Sequence, residues 1–317
     1  MIGTDIAFAA ALLKNGQVVA IPTETVYGLA GNALSTEAVV RIFDVKNRPR
    51  FDPLIVHLPN VSYIQEYAEE FPPKAKLLAE AFMPGPLTLL LPKKNVIPDI
   101  VTSGSPFCAF RVPNHPMTRE LLAMLEFPLA APSANPFGYI SPTTAQHVER
   151  QLGEKIPYIL DGGACAIGIE STIVGFEDGI PIIYRKGGLS IEAIEKIAGR
   201  VVLRAYSSSN PLAPGMLKSH YAPRIPLVVG ELNELHAKFE GRKTAVLAFR
   251  HSLKGIEPEY QVILSSSGDL AEAARNLFAG MRYLDGLDAD IILAEILPEE
   301  GLGRAVNDRL RRAAADN

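Results

Sequence analysis

Short apolar runs alternate with segments of helical period along almost the whole chain. Gln17-Val18-Val19-Ala20-Ile21 has the length and composition of a buried strand, stopped by Pro22. Ser35 or Thr36 is placed to cap a helix that buries Val39, Ile42 and Phe43 on one face. Leu54–Leu58, Thr88–Leu91 and Cys108–Val112 read as further strands, and Pro128–Pro132 as an apolar, strand-like run. Helical spacing covers Asp5–Lys14, Lys74–Phe82 and Met117–Leu125. Ser141-Pro142-Thr143 predicts the start of another helix, because proline is tolerated in a first turn. Thr172–Phe176 and Ile180–Arg185 flank Glu177-Asp178-Gly179, a hairpin turn by composition, and Ser190 caps a helix through Ile197. These elements predict a mixed α/β domain over residues 1–205.

The pattern then changes. Ser207-Ser208-Ser209-Asn210-Pro211, followed by Pro214, Gly215, Pro223 and Pro226, has no periodicity and reads as a linker over 206–225. Beyond it, strand-like Leu227–Val229, Thr244–Phe249 and Ile291–Leu293 alternate with helical Asp269–Leu284 and Leu302–Ala314. That alternation predicts a smaller α/β domain over 226–317 with a mostly parallel sheet.

Composition narrows the function classes. The 317 residues are 48% hydrophobic and 21% charged, with a formal charge of −4, which fits a globular chain and argues against a broad nucleic-acid-binding surface. Two cysteines, Cys108 and Cys165, are too few for a disulfide scaffold and read as buried thiols. No apolar run reaches the length of a membrane span, and the expected compartment is the cytoplasm.

Familiar catalytic motifs are missing from the sequence. There is no Gly-Lys pair and hence no P-loop; Gly301-Leu302-Gly303 starts like a dinucleotide fingerprint, but Val306 stands where the third glycine belongs. The six histidines lack metal-ligand spacing. What stands out is Lys46-Asn47-Arg48-Pro49, cations on a loop stiffened by Pro49 and Pro53, together with Ser133-Ala134-Asn135 after an apolar run. Cations beside small polar groups at a strand end suit a polyanionic nucleotide. Thr23 and Thr25 follow the first strand and read equally well as ligand contacts or as turn hydroxyls satisfying their own backbone. His57, within an apolar run, reads first as a core histidine; Arg111, within another, requires a carboxylate or phosphate partner if buried, either a structural acid or a bound ligand.

Taken in order, Pro22–Leu29, Lys46–Pro49, Pro53–His57, Pro84–Thr88, Arg111–Pro113, Ala131–Asn135, Glu170–Ile173 and Arg185–Gly187 resemble the YrdC-like family. With Pro214-Gly215-Met216 and His220-Tyr221-Ala222-Pro223, the chain is similar to the family's longer members, the two-domain threonylcarbamoyl-AMP synthases. The resemblance implies a twisted mixed sheet around a large cavity, followed by a Rossmann-like C-terminal domain. It implies a nucleotidyltransferase that joins L-threonine, bicarbonate and ATP into threonylcarbamoyl-AMP (L-threonylcarbamoyladenylate) and pyrophosphate, with Mg²⁺ accompanying ATP. Partner transferases would then carry the threonylcarbamoyl group to the adenosine beside the anticodon of tRNA; direct tRNA binding stays open. Carried over by position, Lys46 and Arg48 would be catalytic and hold ATP phosphates, with Asp52, Ser133, Asn135, Arg185 and Tyr221 also serving ATP. Asp52 departs from a common asparagine. Thr25, His57, Arg111, Ala131 and Ser171 would frame threonine, and the linker would close the cavity as a lid. Phe107 stands where some members carry a nucleotide-contacting threonine and cannot supply its hydroxyl.

The chemistry is consistent with a chain that lacks nucleophile motifs. A carbamate oxygen formed on threonine's amine attacks the α-phosphate, so the protein needs fixed positive charge and in-line placement more than a side-chain nucleophile. On this reading Arg48 serves the phosphates more than the fold, and Arg48→Ala is expected to keep its melting temperature. Two other readings compete. An RNA-binding module is disfavoured by the acid-side charge balance. Carbamoyl transfer, as in related domains of hydrogenase maturation proteins, is disfavoured because those domains sit in larger chains with zinc-binding cysteine motifs.

Overall fold

Ser35 caps the expected helix, which spans Thr36–Lys46; its Oγ accepts from the Ala38 amide at 3.2 Å, and Ala38, Val39, Ile42 and Phe43 are buried. The structure, a computed structural model, describes residues 1–204 and 220–315. Two compact units emerge: Met1–Phe137, Pro142–Ala166 and Glu170–Leu217 form the first, and Gly138–Ser141, Ile167–Ile169 and Lys218–Asn317 the second. Most of the expected linker lies outside the described residues.

The first unit is built on an eleven-stranded mixed sheet: β1 (Ile2–Gly3), β2 (Val19–Ile21), β3 (Gly28–Asn32), β4 (Ile55–His57), β5 (Leu87–Pro92), β6 (Phe107–Arg111), β7 (Leu129–Ala130), β8 (Tyr158–Leu160), β9 (Thr172–Glu177), β10 (Ile180–Arg185) and β11 (Val202–Leu203). The spatial order is β1-β8-β2-β3-β7-β4-β6-β5-β9-β10-β11. Side chains alternate between faces along each strand. Leu54, Val56, Leu58, Leu87, Leu89, Leu91, Cys108, Phe110 and Val112 fall on one face, in the main core with helical residues such as Ile42, Phe43 and Leu78. The alternate positions Ile55, Leu90, Ala109 and Ile173 make a smaller apolar cluster on the other face. Period two puts His57, Thr88 and Arg111 on that second face as well, next to Ile55, Leu90 and Ala109 respectively.

The hairpin forms as expected. Ile180 pairs with Glu177, so Asp178 (φ 49°) and Gly179 (φ 73°) make the two-residue turn with both central residues left-handed. Replacing Gly179 by a β-branched valine should cost on the order of 1–2 kcal/mol, read as a lower denaturation midpoint at unchanged slope. The helix expected from Ser141 begins later, at Ala145, with Thr144 Oγ1 capping the His147 amide. Backbone pairing explains the shift: the Pro142 carbonyl accepts from Tyr27 N and the Thr143 carbonyl from Cys165 N, both at 2.9 Å, and these bonds hold the segment extended.

The second unit carries β12 (Leu227–Gly230), β13 (Thr244–Ala248), β14 (Gln261–Ile263) and β15 (Ile291–Glu295), all parallel, in the order β12-β15-β13-β14. Asp269 caps the helix Leu270–Asp285, as its position ahead of the apolar period predicts. Asp285 is 1% exposed and accepts from the amides of Arg224 and Ile225 at 2.7 and 2.9 Å, fixing the approach to β12. No described helix is long and apolar enough to cross a membrane.

Candidate active site

Strand register assembles the first part of the site. His57 of β4 pairs with Arg111 of β6, Arg111 with Thr88 of β5, Thr88 with Ile173 of β9, and Ile173 with Arg185 of β10. Five adjacent strands thus place His57, Thr88, Arg111 and Arg185 at one level of the sheet. Arg111 is 4% exposed, and its guanidinium finds the partner its burial requires in Glu24, with Nη2 to Oε1 at 2.7 Å. Glu24 Oε2 also accepts from the Asn114 amide at 3.0 Å. The acid sits between Thr23 and Thr25, whose hydroxyls lie 2.9 Å apart; Thr23 Oγ1 donates to the Val26 carbonyl at 2.6 Å. The Thr23 contacts therefore match the turn reading, while Thr25 is fully buried beside them.

Ser171 precedes β9. Its Oγ lies 2.7 Å from Thr88 Oγ1 and accepts from Arg185 Nη2 at 3.1 Å, while Arg185 Nε donates to the Ser171 carbonyl at 3.0 Å. Gly187 allows this close approach, since a Cβ there would stand 2.3 Å from the Glu170 carbonyl oxygen.

Lys46 ends the Thr36–Lys46 helix, and Asn47 follows in the left-handed conformation (φ 52°) that terminates it. The Lys46 ammonium is 1% exposed and donates to the backbone carbonyls of Ser133 and Asn135. Arg48 donates to the carbonyls of Asp52 and Pro53 at 3.0 and 2.8 Å, and pairs with the fully buried Asp52 carboxylate at 2.8 Å. Burial and the neighbouring Arg48 push the Lys46 ammonium well below its usual range. Ser133 forms a bridge with Gly28, and Ala131 N donates to the Ile55 carbonyl at 2.9 Å. The Pro22–Gly28 segment thus touches the Lys46 group through Ser133 and the Arg111 group through Glu24.

The structure therefore brings Lys46, Ser133 and Asn135 together, pairs Arg48 with Asp52, and sets His57, Arg111 and Arg185 along one row, with Ser171 bonded to Arg185 at its end. Tyr221 belongs to the second unit, where it is 1% exposed, with its ring 5.4 Å from the Phe278 ring and the Arg312 guanidinium 4.8 Å from its centroid. Sequence reasoning left Glu24 and Thr88 without a role. The signal for Glu24 was the demand of Arg111 for a partner; that for Thr88 was a hydroxyl interrupting a leucine strand.

His57 is 3% exposed, and its Nδ1 lies 3.2 Å from the Ile55 carbonyl. Burial, then the charge of Arg111, lowers its pKa to about 3. An unfolded histidine titrates near pH ~6.5, so below that value the unfolded chain takes up a proton that the folded chain refuses. Stability should fall as pH drops from about 6.5 toward the folded pKa, by up to about 1.4 kcal/mol per pH unit from this residue. His57→Gln should flatten the melting temperature against pH over that range; an unchanged slope contradicts the assignment.

Comparison with known proteins agrees with this architecture. The Sua5/YciO/YrdC sequence model, described as "Telomere recombination", matches residues 11–187, and the model for the threonylcarbamoyl-AMP synthase C-terminal domain matches 189–315. The chain is 43% identical to a threonylcarbamoyl-AMP synthase of Pyrococcus abyssi over 98% of this chain and 94% of that protein. It is 40% identical to one of Bacillus subtilis over 98% and 93%. The crystal structure of P. abyssi Sua5 complexed with L-threonine superposes with a TM-score of 0.92 at 42% identity, covering 98% of this chain and 94% of that one. A full-length HypF structure, at 22% identity and a TM-score of 0.50 over 58% of this chain and 29% of that one, shares the fold alone. With one model spanning the sheet domain, another the C-terminal unit, and relatives 40–43% identical over nearly their whole length, the chain belongs to the Sua5/YciO/YrdC family, in the two-domain form of the threonylcarbamoyl-AMP synthases.

Proposed function

We propose that this chain makes threonylcarbamoyl-AMP and pyrophosphate from L-threonine, bicarbonate and ATP. The product would go to partner transferases that modify the adenosine beside the anticodon of tRNA, in the cytoplasm, where these substrates meet. The observation that carries the reading is the direct contact between Ser171, assigned to threonine, and Arg185, assigned to ATP. Adjacent amino-acid and nucleotide groups are what an in-line attack of a carbamate on the α-phosphate requires.

The residues divide the work as follows. Arg111, held by Glu24, fixes the amino acid's carboxylate, and Thr25, Ala131 and Ser171 frame its remaining atoms. Neutral His57 adds a polar ring without a competing charge. Lys46, Arg48 and Arg185 offset the charge of two anions brought together, an effect strengthened by burial. A desolvated Lys46 ammonium gains strongly from a polyphosphate beside it. Ser133 and Asn135, held by Lys46, present polar groups to the nucleotide, and Asp52 keeps Arg48 aimed. The described residues hold no group of three or more His, Cys, Asp and Glu suited to a metal; Mg²⁺ would enter with the ATP phosphates and would offset part of their charge.

The test is pyrophosphate release by purified protein with ATP and bicarbonate, one amino acid at a time. Threonine should exceed serine by about 10- to 200-fold in kcat/KM, the range available to one methyl group in a pocket. Equal rates with and without threonine would overturn the reading.

A further inference from the structure

Thr88 is a hydroxyl-bearing residue in an otherwise leucine-rich strand, Leu87-Thr88-Leu89-Leu90-Leu91, and it is fully buried. It is on the face shared with Arg111, directly opposite that residue in the antiparallel β5–β6 pair. Opposed side chains on one face of such a pair stand about 4.5–5.5 Å apart at Cβ. On its other side, Thr88 Oγ1 lies 2.7 Å from Ser171 Oγ. Ser171 in turn receives Arg185 through two bonds, Nη2 to Oγ at 3.1 Å and Nε to the carbonyl at 3.0 Å. Guanidinium groups only donate, so Ser171 Oγ uses a lone pair on Arg185 and has its own proton left to place. Thr88 Oγ1 stands where it can accept that proton. Without it, the Ser171 hydroxyl would be free to turn, in a buried setting where an unmet donor costs about 1–3 kcal/mol.

We propose that Thr88 is a positioning residue: by fixing the Ser171 hydroxyl it aims the Arg185 guanidinium, and so joins the amino-acid and nucleotide halves of the site. This rests on the reading of Ser171 and Arg185 given above. Thr88 itself reaches no substrate. It acts through the orientation of its neighbour.

The experiment compares Thr88→Val, which keeps the shape and removes the hydroxyl, with Thr88→Ser, which keeps the hydroxyl. Both are measured in the full chain for ATP affinity by calorimetry, for threonine-dependent pyrophosphate release, and for melting temperature. Thr88→Val should bind ATP about 10-fold more weakly, the equivalent of one hydrogen bond, and raise the KM for ATP by a similar factor. Thr88→Ser should return both within about 3-fold of the parent. A role in folding alone would lower the melting temperature and the active fraction while leaving ATP affinity and KM in place, and that result overturns the proposal. So does a serine variant as impaired as the valine one. If the parent binds ATP but releases no pyrophosphate with threonine, the synthase reading fails, and the ATP affinities still decide the role of Thr88. A parent that does not bind ATP overturns both.

Discussion

Arg48→Ala should destabilise the first unit by about 3–5 kcal/mol, because it removes the cation that pairs with the fully buried Asp52 carboxylate. This reverses the expectation from sequence that the variant would keep its melting temperature. On the chain, Arg48 looks like a loop cation free for a ligand; in the fold it also ties down the carbonyls of Asp52 and Pro53. A single substitution therefore cannot separate a phosphate-binding role from a structural one. The pair Arg48→Met with Asp52→Leu can. Removing both charges together should recover most of the lost stability, since apolar groups of similar volume replace buried ion pairs at little cost. Pyrophosphate release should nonetheless stay about 10²- to 10³-fold below the parent in kcat/KM, as expected when a charge stabiliser of the transition state is lost. Urea unfolding gives the first quantity and a coupled phosphate assay the second. A stable double variant with near-parental activity would remove Arg48 from the catalytic site.

What could be read from the chain was local in origin. Ser35, Ser190 and Asp269 announce their helices because a cap needs only its own side chain and the next few amides. Asp178-Gly179 announces its turn because left-handed backbone is written in residue type. The strands β4, β5 and β6 were visible as apolar runs. The row linking His57, Arg111, Thr88, Ile173 and Arg185 was not, because register between strands distant in the chain depends on which neighbours pair. Ser141–Thr143 was misread for the same reason. Its serine and proline suit a helix start, but the carbonyls of Pro142 and Thr143 are claimed by Tyr27 and Cys165. Two-residue strands such as β1 and β11 leave little pattern to detect, whereas β7 lies inside the apolar run Pro128–Pro132 that reads as strand-like, and Ala131 follows it directly. The motifs that carried the family resemblance identified Arg111 and Arg185, while the identity of their partners, Glu24 and Ser171, needed the fold.

Arg111 and Glu24 form a second buried pair, 2.7 Å apart, and the contrast with Arg48 and Asp52 separates the two halves of the site. Arg111→Ala should cost about 3–5 kcal/mol by leaving Glu24 charged and unpaired. Arg111→Met combined with Glu24→Gln should restore much of that, because the amide oxygen still accepts from Asn114 and no lone charge remains. The decisive measurement is stabilisation by ligand. A ligand at 100 times its Kd stabilises the folded chain by about 2.7 kcal/mol, so each substrate should raise the melting temperature wherever its contacts survive. The Arg111/Glu24 double variant should lose its response to threonine and keep its response to ATP; the Arg48/Asp52 double variant should do the reverse. Arg185, in contact with Ser171 yet assigned to ATP, predicts that Arg185→Met weakens both responses. If the Arg111/Glu24 variant instead keeps its threonine response and loses that to ATP, the amino acid does not dock on Arg111, and the division of the row into amino-acid and nucleotide halves is wrong.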